Sequence, residues 1–472
     1  MNADNNRMPL TSADLKYFSV PLPEDIKREV DAGELSTAKK KIEYCLRNEE
    51  LSRAAARRLM LESERLKHIE ERYTVHPEDA PEIMASCGIK DFTPEELEEL
   101  MLKGIVDWRY VDKEVRLIDS FAGSLIKVYP EYGERAEEED EAEDAEDPVD
   151  RLIESVRDGE TMSAHIHIRH NLIPGDSSIR EGDILTAHLP APKEGLNEQL
   201  KNVRYIAFSH EPAALCEGDS LQPTVVFREK AHKDMRFFAE YELDHELVYR
   251  DLRKADPEAV LKGSIPDEVK CFLEEKQPHI SFSPFMRALA EEITGDEKNP
   301  LYIARAIYDF VTTKVTYRFA PNYASIENIS EYCAVNRKGD CGIQAILFIT
   351  LLRLCGIPAV WQSGLDAKPG DVGEHDWARF YLPSIGWLYA DPSYGGSAAR
   401  QGKKDRWDFF FGNLDPYRIP LNEDFQEDFC PPKKQMRFDP YDSQEGELEY
   451  EDMPVLFDFR REYEDLGISL NG

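Results

Sequence analysis

A chain of 472 residues has room for about three domains, and a hydrophobic content of 41% supplies a sizeable core. Its formal charge of −35 argues against nucleic acid or an anionic membrane as a partner. A neutral or basic peptide, or plain solubility, fits that charge better. Eight cysteines with no C-x-x-C pair point to a reduced compartment, and away from a disulfide framework or paired-cysteine zinc sites. The first twenty residues hold no apolar h-region and no stretch reaches membrane-spanning length, so the expected location is cytoplasmic, or secreted if a signal peptide has been trimmed away.

Residues 1–20 read as a lead-in, and 23–73 follow a helical period, with Leu51 to Ile69 apolar at helical spacing among Arg and Glu. Thr93-Pro94-Glu95-Glu96 is a helix start, with Pro at the first position and acids in the first turn. Val111 to Leu117 suggests a hairpin. The run 134–147 holds ten acids against one Arg, and like charges at that density stay solvated, so a linker is expected there. From Thr161 to Leu247 the pattern turns to strands (163–168, 183–189, 203–209, 224–228 and 235–247), separated by turns such as Pro174-Gly175-Asp176 and Glu217-Gly218-Asp219. Strands at this spacing suggest a β-sandwich. His165 and His167 share one strand face, as two metal ligands would; with no third or fourth ligand in view, a polar strand face is the better reading, and no metal or cofactor is expected. Residues 251–295 read as linker and helices, and 299–315 as a helix.

The most telling stretch runs from Lys338 to Gly396. Cys341 precedes an apolar run over 343–354 that stops at Gly356-Ile357-Pro358, where Gly caps a helix and Pro forbids its continuation. Cys341 then lies in the first turn of a buried helix, where unpaired N–H groups and the macrodipole favour a thiolate. A strand beginning at His375, a Pro383–Gly386 turn and a second strand ending at Asp391 would bring His375 and Asp391 out at one edge of a hairpin. A carboxylate there fixes the histidine tautomer and stabilises the imidazolium. Pattern alone thus yields a cysteine triad in the chain order Cys, His, Asp.

These blocks, Gly339-x-Cys341, Leu352-Arg353-x-x-Gly356-Ile357-Pro358-Ala359, His375-x-Trp377 and Gly386-Trp387-x-x-x-Asp391-Pro392, resemble the transglutaminase-like core of the papain-related cysteine enzymes, in its microbial multidomain type. The resemblance covers roughly residues 298–400 and implies Cys341 as nucleophile, His375 as base and Asp391 as orienter. Gly342 and Gln344 stand where relatives often carry aromatic or acidic residues, which bears on substrate choice. Tyr317, upstream of the nucleophile, is a candidate for the oxyanion or substrate pocket, with core packing as its alternative. Trp377 is a candidate shield of the His–Asp pair, again with packing as the alternative.

The expected fold is α+β: a transglutaminase-like (papain-like) catalytic core over 251–420, preceded by a β-sandwich-like domain over 149–250 and a helical accessory domain over 1–133. An acidic linker over 134–148 joins those two, and a C-terminal extension covers 421–472. The expected function is a cysteine-nucleophile peptidase or amidohydrolase acting on a peptide or protein through a thioester. Its alternatives are a protein-glutamine transamidase, and a non-catalytic scaffold with a vestigial core whose site is blocked, for instance by the segment after Gly396.

Overall fold

A computed structural model describes residues 9–136, 148–216, 220–318, 321–437, 439, 441–442 and 444–471. Most of the acidic run (137–147) and the Glu217-Gly218-Asp219 turn lie outside the described residues. Two compact units emerge, one taking in residues up to 145 together with 317–328, the other 146–316 together with 329–472.

The first unit is helical, with one small hairpin. Its longest helix, Arg53–Arg72, starts at Ser52, whose side chain accepts a hydrogen bond from the Ala55 amide at 3.2 Å. Thr93 caps the helix Pro94–Leu102 in the same way, with Pro94 at its first position. Trp108–Val111 pairs with Glu114–Leu117 through Asp112 and Lys113, both at positive φ, as a two-residue hairpin turn requires. Leu59, Leu66, Ile69 and Leu97 fill the shared core.

In the second unit a five-stranded antiparallel sheet runs in the order Phe411–Gly412, Gly386–Ala390, Asp371–Leu382, Ala359–Lys368, Arg418–Glu423. The helices Pro300–Lys314, Cys341–Leu354 and Pro392–Arg400 pack around it and on one another. Residues 342–353 are all buried, as befits a helix apolar on every side. Phe348 meets Phe380 of the sheet edge to face, with centroids 5.9 Å apart.

Two further antiparallel sheets share a core. The four-stranded one is ordered Phe459–Asn471, Ser163–Pro174, Phe237–Glu246, Leu200–Phe208. The other has Pro454–Val455, Glu447–Glu449, Ile184–Pro190, Thr224–Lys230 and Ala214–Leu215. Ile166, Ile168, Leu185, Phe227 and Phe237 pack between them, and Leu365 and Ile419 of the first sheet join the same cluster. Alternation along Ser163–Pro174 turns Ala164, Ile166 and Ile168 inward and leaves His165 and His167 half-buried on the other face. There His165 meets Asp244 at 2.8 Å and His167 meets Glu240 at 2.9 Å, each across the ladder. Among the described residues no group of three or more His, Cys, Asp or Glu is placed to hold a metal ion.

Candidate active site

Cys341 is the first residue of the helix Cys341–Leu354 and is half-buried. Asp340 caps that helix, its carboxylate accepting from the Ile343 amide at 3.0 Å. That cap alters the electrostatics expected from a bare helix end: one amide is already satisfied, and the group satisfying it is an anion beside the sulfur. The thiol itself donates to Asp376 Oδ2 at 3.4 Å. Burial, then the Asp376 and Asp340 carboxyls, push the Cys341 thiol well above its ordinary value. Burial and the two carboxyls thus act against the thiolate that the helix end alone would favour.

Asp376 is buried, and burial together with Asp442 and Asp340 pushes its carboxyl well up as well. Its other oxygen accepts from Gln444 Nε2, and the same amide donates to the His375 carbonyl at 3.3 Å. The segment after Gly396 thus reaches the site, laying a side chain across the strand that carries His375 and Asp376.

His375 and Asp391 come together as the hairpin pattern implied. Their strands pair Ala378 with Ala390, which sets Asp391 one residue past the last rung. His375 Nε2 meets Asp391 Oδ2 at 2.8 Å, with both side chains buried. Among the described residues the other ring nitrogen, Nδ1, makes no hydrogen bond, and none joins Cys341 to His375. The strand starts at Asp371, four residues before His375, because Ala359–Lys368 pairs with it along its length.

Asp391 also caps the helix Pro392–Arg400, its Oδ1 accepting from the Tyr394 amide and the Ser393 hydroxyl, both at 3.0 Å. Burial would raise its carboxyl, but the charge and hydrogen bond of His375, then Arg418, hold it below the ordinary carboxylate range. Arg418 Nη2 lies 3.2 Å from Asp391 Oδ2 and Nε lies 2.9 Å from Asp415 Oδ2, all three side chains being fully buried. The guanidinium covers the Tyr394 ring at 4.4 Å, and that ring meets the His375 imidazole edge to face at 4.8 Å. Arg418 and Tyr394 were not singled out in the sequence. Asp391-Pro392 was a visible helix start, so the residues just after it were within reach of the pattern, whereas Arg418 arrives from a separate strand.

Trp377 is fully buried, donates through its indole N–H to Gln362 Oε1 at 2.8 Å, and stacks beside His375 with centroids 6.2 Å apart. Tyr317 is half-buried at the end of the short strand Thr316–Tyr317 and falls in the other unit.

With this geometry in place, comparison with known proteins shows what one part of the chain is similar to. Residues 287–392 match the model of the transglutaminase-like superfamily. The chain carries a transglutaminase-like domain. A protein-glutamine gamma-glutamyltransferase of Pseudomonas aeruginosa is 26% identical over 123 residues, a match spanning 24% of this chain and 18% of that relative. Among solved structures, a candidate cysteine protease from Cytophaga hutchinsonii is similar at 14% identity and a TM-score of 0.40, covering 66% of this chain and 92% of that one. The periplasmic domain of TgpA from Pseudomonas aeruginosa follows at 16% identity and 0.26, covering 51% of this chain and 98% of that one. The transglutaminase-like domain includes Cys341, His375 and Asp391.

Proposed function

We propose that the transglutaminase-like domain is a cysteine-nucleophile enzyme acting on amide bonds, with Cys341 as nucleophile, His375 as base and Asp391 as the carboxylate that orients the imidazole. The observation that carries this reading is the buried His375–Asp391 pair at 2.8 Å, within the same domain as a cysteine opening a buried helix. Asp391 takes Nε2, fixes the tautomer and leaves Nδ1 for the sulfur. Catalysis starts when the thiol proton leaves the Asp376 side for His375 Nδ1. The thiolate attacks the amide carbonyl, His375 returns the proton to the departing amine, and an acyl thioester remains on Cys341. The Cys341 backbone N–H is the oxyanion donor at hand. Water resolving the thioester gives a peptidase or amidohydrolase, which is the reading preferred here. An amine resolving it gives a transamidase, a second reading favoured by the name of the Pseudomonas aeruginosa relative.

The test is incubation with a peptide library, with mass spectrometry scoring cleavage, deamidation and cross-linking together, against Cys341→Ala. Cleavage or deamidation lost in the variant supports hydrolysis, and cross-linking lost in the variant supports transamidation. No difference between the two proteins in any of the three products would count against an enzyme.

A further inference from the structure

Away from this site, two cysteines far apart in sequence meet at the edge of one sheet. Cys216 follows the strand Ala214–Leu215, which pairs Ala214 with Val226 and Leu215 with Val225. Its amide continues the ladder by donating to the Thr224 carbonyl at 3.1 Å. The Thr224 amide donates in turn to the Cys430 carbonyl at 2.9 Å, and the Thr224 hydroxyl donates to the same oxygen at 2.9 Å. In an extended strand the N–H and C=O of one residue point to the same side. Cys216 and Cys430 are therefore held side by side on one edge, each tied to the same residue. Cys430 is anchored further by a bridge to Pro223 and by its own amide, which donates to the Gln222 carbonyl at 2.9 Å.

The side chains fit the same arrangement: both residues are half-buried free cysteines, and after burial the Cys430 thiol is the next cause that pushes the Cys216 thiol up. Among the described residues no other pair of thiols meets in this way. Cys333 is buried near Gly339, and Cys271 lies exposed with its thiol toward the Glu268 carbonyl.

The geometry points to Cys216 and Cys430 as a thiol pair that closes to an intramolecular disulfide when the protein meets a low-molecular-weight disulfide such as oxidised glutathione. Cys430 loses its proton to solvent and attacks first; it forms a sulfur–sulfur bond to the oxidant and expels one small thiolate. Cys216 then loses its proton and attacks the Cys430 sulfur, expelling the second small thiolate. Two protons and two electrons leave the protein, and the oxidant disulfide becomes two thiols. Burial, then the neighbouring Cys430 thiol, push the Cys216 thiol up to about 11, which makes it a poor first nucleophile near neutral pH. The new bond ties the Ala214–Leu215 edge of its sheet to the start of the segment that carries Gln444 to His375 and Asp376.

The test uses the full chain, unoxidised and after equilibration with oxidised glutathione. Remaining thiols are blocked with N-ethylmaleimide, the protein is digested without reduction, and peptides are identified by mass spectrometry. The expected product is one peptide pair joined through Cys216 and Cys430, with two of the eight thiols lost to that link. Cys216→Ser abolishes the link and accumulates glutathione on Cys430. All thiols still open to the blocking reagent, glutathione on single cysteines with no internal link, or a link between other cysteines would overturn the proposal. The wild-type readout stands by itself, whether or not the serine variant folds.

Discussion

At the scale of single residues, Asp340 and Asp376 govern how the Cys341 sulfur behaves, because each sets a carboxyl where a helix end alone would favour a thiolate. Replacing Asp376 by Asn keeps an oxygen for Gln444 and removes a titrating neighbour. Alkylation of Cys341 by iodoacetamide, followed by mass spectrometry across pH, is expected to reach half-maximal rate about one pH unit lower in Asp376→Asn than in the parent, the scale of a like-charge neighbour. An unchanged profile would remove Asp376 from this role. Arg418 makes a different prediction. Arg418→Met strands Asp415 and Asp391 in the interior, and breaking a buried ion cluster from one side costs about 3–5 kcal/mol, to be read from urea denaturation. The cap at Asp340 was legible, since an Asp directly before a helix is an N-cap signal; its effect on the sulfur was not drawn from it. Asp376 was less legible. A strand pattern locates His375 and its neighbour equally well, and only three-dimensional placement says which of them the thiol meets.

At the scale of elements, the segment that bears Gln444 has its own proton sensitivity. Burial, with Glu374 and Asp439 nearby, raises the Glu445 carboxyl to about 7 despite Arg461 at 2.9 Å. A raised acid binds more protons in the folded than in the unfolded state between the ordinary glutamate value, about 4.3, and about 7. Stability from this group is therefore full at the acid end of that window and falls as pH rises through it. Urea midpoints at pH 5 and pH 8 should drop less in Glu445→Gln than in the parent, and equal drops would exclude the group. Asp391 acts in the opposite sense. Its depressed value contributes stability above the ordinary aspartate range, about 3.9, that is lost as acid titrates it. In the sheet, Gly364 meets the strand Arg418–Glu423 so closely that an added Cβ would lie 1.9 Å from the Ile419 carbonyl oxygen. Gly364→Ala is expected to cost about 1–3 kcal/mol, again by urea denaturation. The hairpin ending at Asp391 was readable from its turn and its alternation. Ala359–Lys368 was not, because a strand buried along nearly all its length shows no alternation to detect.

At the scale of the whole chain, the C-terminal stretch supplies strands to both sheets that were expected to form from residues 149–250. Phe459–Asn471 reads as a charged tail, since most of its side chains are partly or fully exposed, and its membership rests on backbone pairing with Ser163–Pro174. Hydrophobic pattern carries no signal for such a strand. Deleting residues 447–471 should leave the Ser163–Pro174 edge unpaired and give an aggregating product by size-exclusion chromatography, whereas a soluble, monodisperse product would show the sheets complete without it. The pairing of Arg169 with Glu464 spans 295 positions. At ribosomal rates of about 5–20 residues per second, the earlier strand emerges roughly 15 to 60 s before its mate. For that interval a sticky edge waits in the crowded cell, so yield in living cells should depend on holdase chaperones far more than the finished molecule does.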